Sequence, residues 1–149
     1  MNGQANTPEA KKILVVDDDP VIVKTLSMLL TANGFKALTA NDGPGAAASV
    51  ERDKPDLILL DIQFPPDAMN IGGALQDGFF IMEWLRRMGE AGDIPIIIIS
   101  ASNSRKDQKH AMEAGAVAFF PKPIDRLALL STIRNVLGLD VTDTVPNAA

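Results

Sequence analysis

The stretch Ile13-Leu14-Val15-Val16-Asp17-Asp18-Asp19-Pro20 decides the fold. Its first four residues are apolar without alternation, the mark of a strand covered on both faces, as in a parallel sheet. Pro20 suits the first turn of a helix, and Asp19 stands where its N-cap belongs. The reading is therefore strand, acidic turn, helix. The same grammar recurs along the chain in Leu57–Leu60 followed by Asp61, Ile96–Ile99 followed by Ser100, and the weaker Val117–Phe120 leading to Lys122. Phe35–Ala40 is less apolar and reads as an edge strand. Between these runs lie apolar stripes of helical period: Val21, Leu26, Leu29 and Leu30; Phe80, Ile81, Trp84 and Leu85; Leu127, Leu130, Ile133 and Leu137. Gly34, Gly115 and Gly138 fall where helices should stop. The pattern predicts five strand–helix repeats, packed as a doubly wound five-stranded parallel α/β sandwich with right-handed crossovers.

Composition narrows the possible functions. The chain has 149 residues, 46% of them hydrophobic, enough for one domain with a real core. Fourteen basic against nineteen acidic residues give a net charge of −5. That balance argues against direct DNA binding by phosphate neutralisation and against a polybasic membrane anchor. The absence of cysteine excludes disulfides, thiolate metal sites and a cysteine nucleophile. A lone histidine, His110, excludes a multi-histidine metal centre and reads as a surface residue. Apolar runs are too short to span a membrane and the start lacks a signal-peptide core, so a cytoplasmic protein is expected.

The expected domain runs over residues 11–138, with flexible tails at 1–10 and 139–149. No output domain follows, which suggests action through protein partners; the starting Met1 favours a stand-alone chain over an excised domain. The connection over residues 63–77 is long and rich in Pro and Gly, and such loops are usually functional or mobile.

Open α/β sheets bind ligands beyond the carboxyl ends of their strands. Four predicted strands end there in polar groups: Asp17, Asp18 and Asp19; Asp61; Ser100; and Lys122. Clustered carboxylates repel unless a cation sits among them, and one or two carboxylates with water and phosphate are how Mg²⁺ is held. A lysine and a hydroxyl across the pocket suit phosphoryl oxygens. The pattern points to Mg²⁺-dependent phosphoryl transfer onto a carboxylate. Taken singly, each residue has a plainer reading: Asp19 as a helix cap, Asp17 and Asp18 as solvated turn residues, Asp61 as a strand-end acid, Lys122 in a rigid proline turn. Their joint placement at four strand ends outweighs these.

On residues 13–20, Pro-Asp-Leu-Ile-Leu-Leu-Asp (55–61), Asp-Gly-Phe (77–79), Ile-Pro-Ile-Ile-Ile-Ile-Ser-Ala (94–101), Glu-Ala-Gly-Ala (113–116) and Phe-Pro-Lys-Pro (120–123), the sequence resembles the receiver domains of two-component response regulators. The resemblance spans about residues 11–138. It implies a flavodoxin-like (βα)5 fold with strand order 2-1-3-4-5, as in stand-alone chemotaxis regulators. It also implies a signalling phosphoacceptor rather than an enzyme acting on other substrates. Carried over residue by residue, it makes Asp61 the phosphoacceptor. Asp18 becomes a direct Mg²⁺ ligand, Asp17 one acting largely through water, and the backbone carbonyl of Gln63 completes the metal site. Ser100 becomes the switch hydroxyl, Lys122 the partner of a phosphoryl oxygen with a cis bond to Pro123, and Phe119 the aromatic switch position. Lacking a hydroxyl, Phe119 can switch only through burial. The implied partners are a sensor histidine kinase or a histidine phosphotransfer protein. A downstream protein would be engaged through the helix 4–strand 5–helix 5 face, including Lys106, Lys109, His110 and Glu113.

One departure stands out. Relatives place the glycine matching Gly78 about eight positions after the acceptor; here the spacing is 17. The extra residues act either as a lid hinged at Gly72-Gly73, with Met69, Ile71 and Leu75 over the site, or as a tolerated insertion. Two alternatives stay open at this point. One is a phosphorylation-independent binding module on the same fold. The other is a haloacid-dehalogenase-type phosphohydrolase with Asp17 as nucleophile and Asp19 as acid/base, which leaves Asp61 idle. A Rossmann or P-loop nucleotide site is disfavoured, because the first strand runs into acids rather than a glycine-rich cradle.

Overall fold

The structure, a computed structural model, describes residues 9–62, 78–87, 92–101 and 105–139. Strands and helices alternate: β1 (Lys12–Val16), α1 (Pro20–Ala32), β2 (Lys36–Ala40), α2 (Gly43–Asp53), β3 (Leu57–Asp61), α3 (Gly78–Arg86), β4 (Ile96–Ser100), α4 (Arg105–Glu113), β5 (Ala118–Pro121) and α5 (Arg126–Val136). The five strands are parallel in the order β2-β1-β3-β4-β5. This is the doubly wound parallel sandwich that the strand–helix rhythm predicts, in the flavodoxin-like strand order that the resemblance implies.

The unbroken apolar runs follow from this layering. Ile13 and Val15 of β1 face one layer while Leu14 and Val16 face the other, so neither side of the strand can be polar. One core joins Leu14, Val16, Ile58, Leu60, Ile96 and Ile98 to α2, α3 and α4. The other joins Ile13, Val15, Leu57, Leu59, Ile97 and Ile99 to α1 and α5. Burying one such side chain contributes roughly 1.5–3 kcal/mol. β2 and β5 close the sheet and are less buried, which explains their weaker sequence signal.

Helix punctuation follows the expected chemistry. Asp19 accepts a hydrogen bond from Val21 N at 2.9 Å, with Pro20 in the first turn of α1. Asp42 and Asp125 cap α2 and α5 through Gly45 N and Ala128 N. Gly34, Gly115 and Gly138 all have positive φ, each in the turn after a helix.

Two residues depart from the expected stripes. Val21 is 68% exposed and Leu127 80% exposed. At 100° per residue Val21 lies on the side of α1 opposite Leu26 and Leu30, with Ile22 and Val23 turned to the sheet in its place. Leu129, Leu130 and Ile133 carry the buried face of α5, and Leu127 falls well outside it. Strand bounds shift by one residue: β1 begins at Lys12, β2 at Lys36, and β5 spans Ala118–Pro121.

The rim at the amino ends of the strands is closed by Lys12. Its Nζ donates to the Asp53 carbonyl at 2.9 Å and its backbone N–H to Asp56 Oδ2 at 2.8 Å. On the α3/α4 side, Arg86 Nη2 donates to the Gly115 carbonyl at 2.6 Å. No helix among the described residues is long and apolar enough to cross a membrane.

Candidate functional site at the carboxyl rim

The opposite rim gathers the polar strand ends. In the ladder Val16 is paired with Leu60, Asp61 with Ile99 and Ser100 with Pro121, which brings the residues after β1, β3, β4 and β5 to one edge. Asp17 and Ser100 are fully buried and Asp61 is 2% exposed. Asp18 is more open to solvent. One carboxylate oxygen from each of Asp17, Asp18 and Asp61 lies within 4.8 Å of the others.

Each side chain is held by a local device. Asp17 Oδ1 accepts the backbone N–H of Asp19 at 2.9 Å, so the residue that caps α1 is itself fixed by the buried acid. Asp17 N donates to the Ala40 carbonyl, extending the β1–β2 ladder to the site. Lys122 N donates to the Ser100 carbonyl at 2.7 Å, and the Lys122–Pro123 bond is cis, as expected. Lys122 Nζ donates to Asp17 Oδ2 at 2.9 Å and stands 3.5 Å from Asp61 Oδ2.

Electrostatics follow from this geometry. Burial and the neighbouring Asp17 carboxylate push the Asp18 carboxyl above its ordinary range, against a lowering by Lys122 and a backbone hydrogen bond. Burial works to lower Lys122, but its hydrogen bond to Asp17 and the charges of Asp61 and Asp17 outweigh it, so the ammonium is held above its usual value. When ionised, three carboxylates facing one ammonium carry two uncompensated negative charges. An all-oxygen donor set with that excess fits a hard divalent cation.

Of the residues predicted for the site, the structure brings together Asp17, Asp18, Asp61, Ser100 and Lys122. Asp19 belongs to the helix cap. Phe119 is half-buried and packs on the core containing Ile96, Ile98 and Ala111, two strand positions before Pro121, the residue paired with Ser100. Gln63 and the loop 63–77, including the lid residues, lie outside the described residues. Sequence reasoning missed the flank beyond Asp18. There an open cleft of about 460 Å³ is bounded by Pro20, Val23 and Lys24 on one side and Thr39, Ala40 and Asn41 on the other. The signal was available, since β2 ends at the same rim.

Comparison with known proteins agrees with this geometry. The response regulator receiver domain family matches residues 13–134, and the chain belongs to that family. It is similar to the response regulator PleD of Caulobacter vibrioides, with 38% identity over 125 residues, covering 84% of this chain and 26% of PleD. The chain thus spans about a quarter of that relative. Among solved structures it is similar to the chemotaxis protein CheY4 of Vibrio cholerae, with a TM-score of 0.74 and 26% identity over 85% of this chain and 98% of that one. It is also similar to the receiver domain of the sensor histidine kinase PA1611 of Pseudomonas aeruginosa, described with a magnesium ion coordinated in its active-site cleft. There the TM-score is 0.73 and the identity 26%, over 87% of this chain and 98% of that one.

Proposed function

We propose that this receiver domain accepts a phosphoryl group on Asp61 from the phosphohistidine of a partner kinase or phosphotransfer protein. The domain is taken to span residues 11–138. The observation that carries the reading is the position of Lys122, whose ammonium reaches Asp17 and Asp61 together while the three carboxylates stay within 4.8 Å. Asp61 Oδ attacks phosphorus; the O–P bond forms as the donor P–N bond breaks, and the electron pair leaves on the imidazole. Asp17, Asp18, Asp61 and the Gln63 carbonyl would hold Mg²⁺, which supplies charge neutralisation for the carboxylates and phosphoryl oxygens. Lys122 is positioned to pair with one phosphoryl oxygen, giving up part of its hold on Asp17. Ser100 supplies a hydroxyl beside the acceptor, and Phe119 sits where a shift in the strand-four loop changes its burial. Through these two residues phosphorylation reshapes the α4–β5–α5 face toward a downstream protein.

The dehalogenase-type alternative makes Asp17 the nucleophile. Asp17 is instead wholly buried, with its two oxygens occupied by Asp19 N and Lys122 Nζ. The deciding experiment is Mg²⁺-dependent labelling with acetyl phosphate, followed by borohydride trapping and peptide mapping. Label on Asp61, lost in Asp61→Asn, is expected. Label on Asp17, or full labelling of Asp61→Asn, overturns the assignment.

A further inference from the structure

The end of α1 holds a chemically reactive pair. Asn-Gly occurs in the chain at Asn2-Gly3 and Asn33-Gly34, and the second lies within the described residues. In such a pair no glycine side chain shields the following amide nitrogen. The backbone also turns freely enough to bring that nitrogen onto the asparagine side-chain carbonyl. Gly34 is exposed, has φ +89°, and a Cβ there would meet nothing within 4 Å, so the turn is open to water and base.

The folded corner holds the reacting groups apart. Asn33 Nδ2 donates to the Leu29 carbonyl at 2.8 Å, which turns the side chain back along the helix. Gly34 N donates to the Thr31 carbonyl at 3.2 Å, so the nucleophile is committed to the helix end. A third restraint comes from α5. Arg134 Nη2 donates to the Asn33 carbonyl at 3.1 Å, and its guanidinium carbon stands 5.1 Å from the centre of the Phe35 ring. One side chain thus grips the residues on both sides of Gly34. Its Nε is buried without a hydrogen-bond partner, so the grip is partly offset and the corner can open locally.

We propose that Asn33-Gly34 is a self-modification site, converting to isoaspartate by way of a succinimide, and that Arg134 is the latch that slows it in the folded protein. In the opened corner, base takes the Gly34 amide proton and the nitrogen forms a bond to Asn33 Cγ. The Cγ–Nδ2 bond breaks with release of ammonia. Water then opens the ring at either carbonyl, leaving aspartate or an isoaspartate whose backbone runs through Cγ. Either product puts a carboxylate at the carboxyl end of α1, where it opposes the helix dipole and the donor to the Leu29 carbonyl is lost. The isoaspartate also adds a backbone carbon two residues before Phe35, which is buried in the layer of α1 and α5. The conversion runs one way, so it records how long and how often the corner has opened.

The test ages the full chain in mildly alkaline buffer, folded and in urea, and peptide mapping reads aspartate and isoaspartate at position 33. Asn2 in the same digests controls for buffer and base. Isoaspartate at Asn33 is expected in urea, with conversion at least roughly tenfold slower in the folded protein, since reaction waits on opening. Arg134→Ala, checked as folded by circular dichroism, should speed the folded-state conversion roughly tenfold with Asn2 unchanged. Arg134→Lys keeps the charge without the planar fork and should speed it by a smaller factor; it carries the comparison where the alanine variant does not fold. Equal rates with and without urea, no isoaspartate at Asn33 in either, or folded Arg134 variants ageing at the wild-type rate would overturn the proposal.

Discussion

Lys122 Nζ lies 2.9 Å from Asp17 Oδ2, across 105 residues of sequence, and 3.5 Å from Asp61 Oδ2. The contact joins the residues that follow β1 and β5, strands that are separated in the sheet by β3 and β4. The ammonium supplies positive charge to two carboxylates that are almost wholly removed from water.

Lys122→Ala should therefore destabilise the metal-free protein by about 3 kcal/mol, since breaking a buried pair leaves carboxylates uncompensated. Urea unfolding with chelator present checks this. The Lys122 contribution also has a definite pH window. Because its folded-state pKa is raised above 10.5, the stabilisation is complete below that value and is lost as pH rises through the higher folded value. The gap between wild type and Lys122→Ala should close only in strongly alkaline solution.

Asp18 behaves in the opposite sense at neutral pH. Its folded-state carboxyl is raised, so its favourable contribution is complete below the ordinary value of 3.8 and is lost as pH rises through the folded value. In chelator at pH near 7, Asp18→Asn should melt slightly higher than wild type, by no more than about 1 kcal/mol given its exposure. The same substitution should abolish the rise in melting temperature that Mg²⁺ gives wild type. Thermal melts with and without Mg²⁺ separate the two effects.

Gly115 has φ +108°, and a Cβ there would stand 2.6 Å from Arg86 Nη2. Gly115→Ala should cost about 1–3 kcal/mol through backbone strain and the displaced guanidinium. Arg86→Ala removes the steric part, so the double variant should be less destabilised than the sum of the singles. Chemical denaturation of all four proteins reads the coupling; strict additivity would show that Arg86 does not bear on this turn.

Asp19→Ala removes the α1 cap and should cost about 1 kcal/mol. The Asp17–Asp19 hydrogen bond uses the backbone N–H, which alanine keeps, so Mg²⁺ affinity should be almost unchanged. Calorimetric titration of Mg²⁺ checks this; a large loss would mean that the Asp19 carboxylate takes part in binding metal.

The sheet was legible because burial on both faces forces unbroken apolar runs, as in Leu57–Leu60, and because acids end those runs where solvent and ligand begin. Asp17, Asp61, Ser100 and Lys122 could be assigned to one rim from strand direction alone. The helix faces were harder. Val21 and Leu127 sit in first turns, where an apolar residue can face solvent without disturbing the packed turns that follow. α2 has small residues, Ala46 and Ser49, at its buried contacts, so its packing left little hydrophobic signal. Bonds such as Asp17 to Asp19 N and Arg86 to the Gly115 carbonyl depend on side-chain direction and on backbone carbonyls, which residue type does not encode.

The Lys12 clasp at the amino rim sets a division of labour along the strand axis. Its contacts to Asp53 and Asp56 tie β1 to the α2–β3 turn at the end remote from the acids. Durability and reactivity are thereby assigned to separate poles of the same strands. A dye or a fused reporter at the left-handed Lys54 turn would ride on the clasp pole and leave the acidic pole free to work.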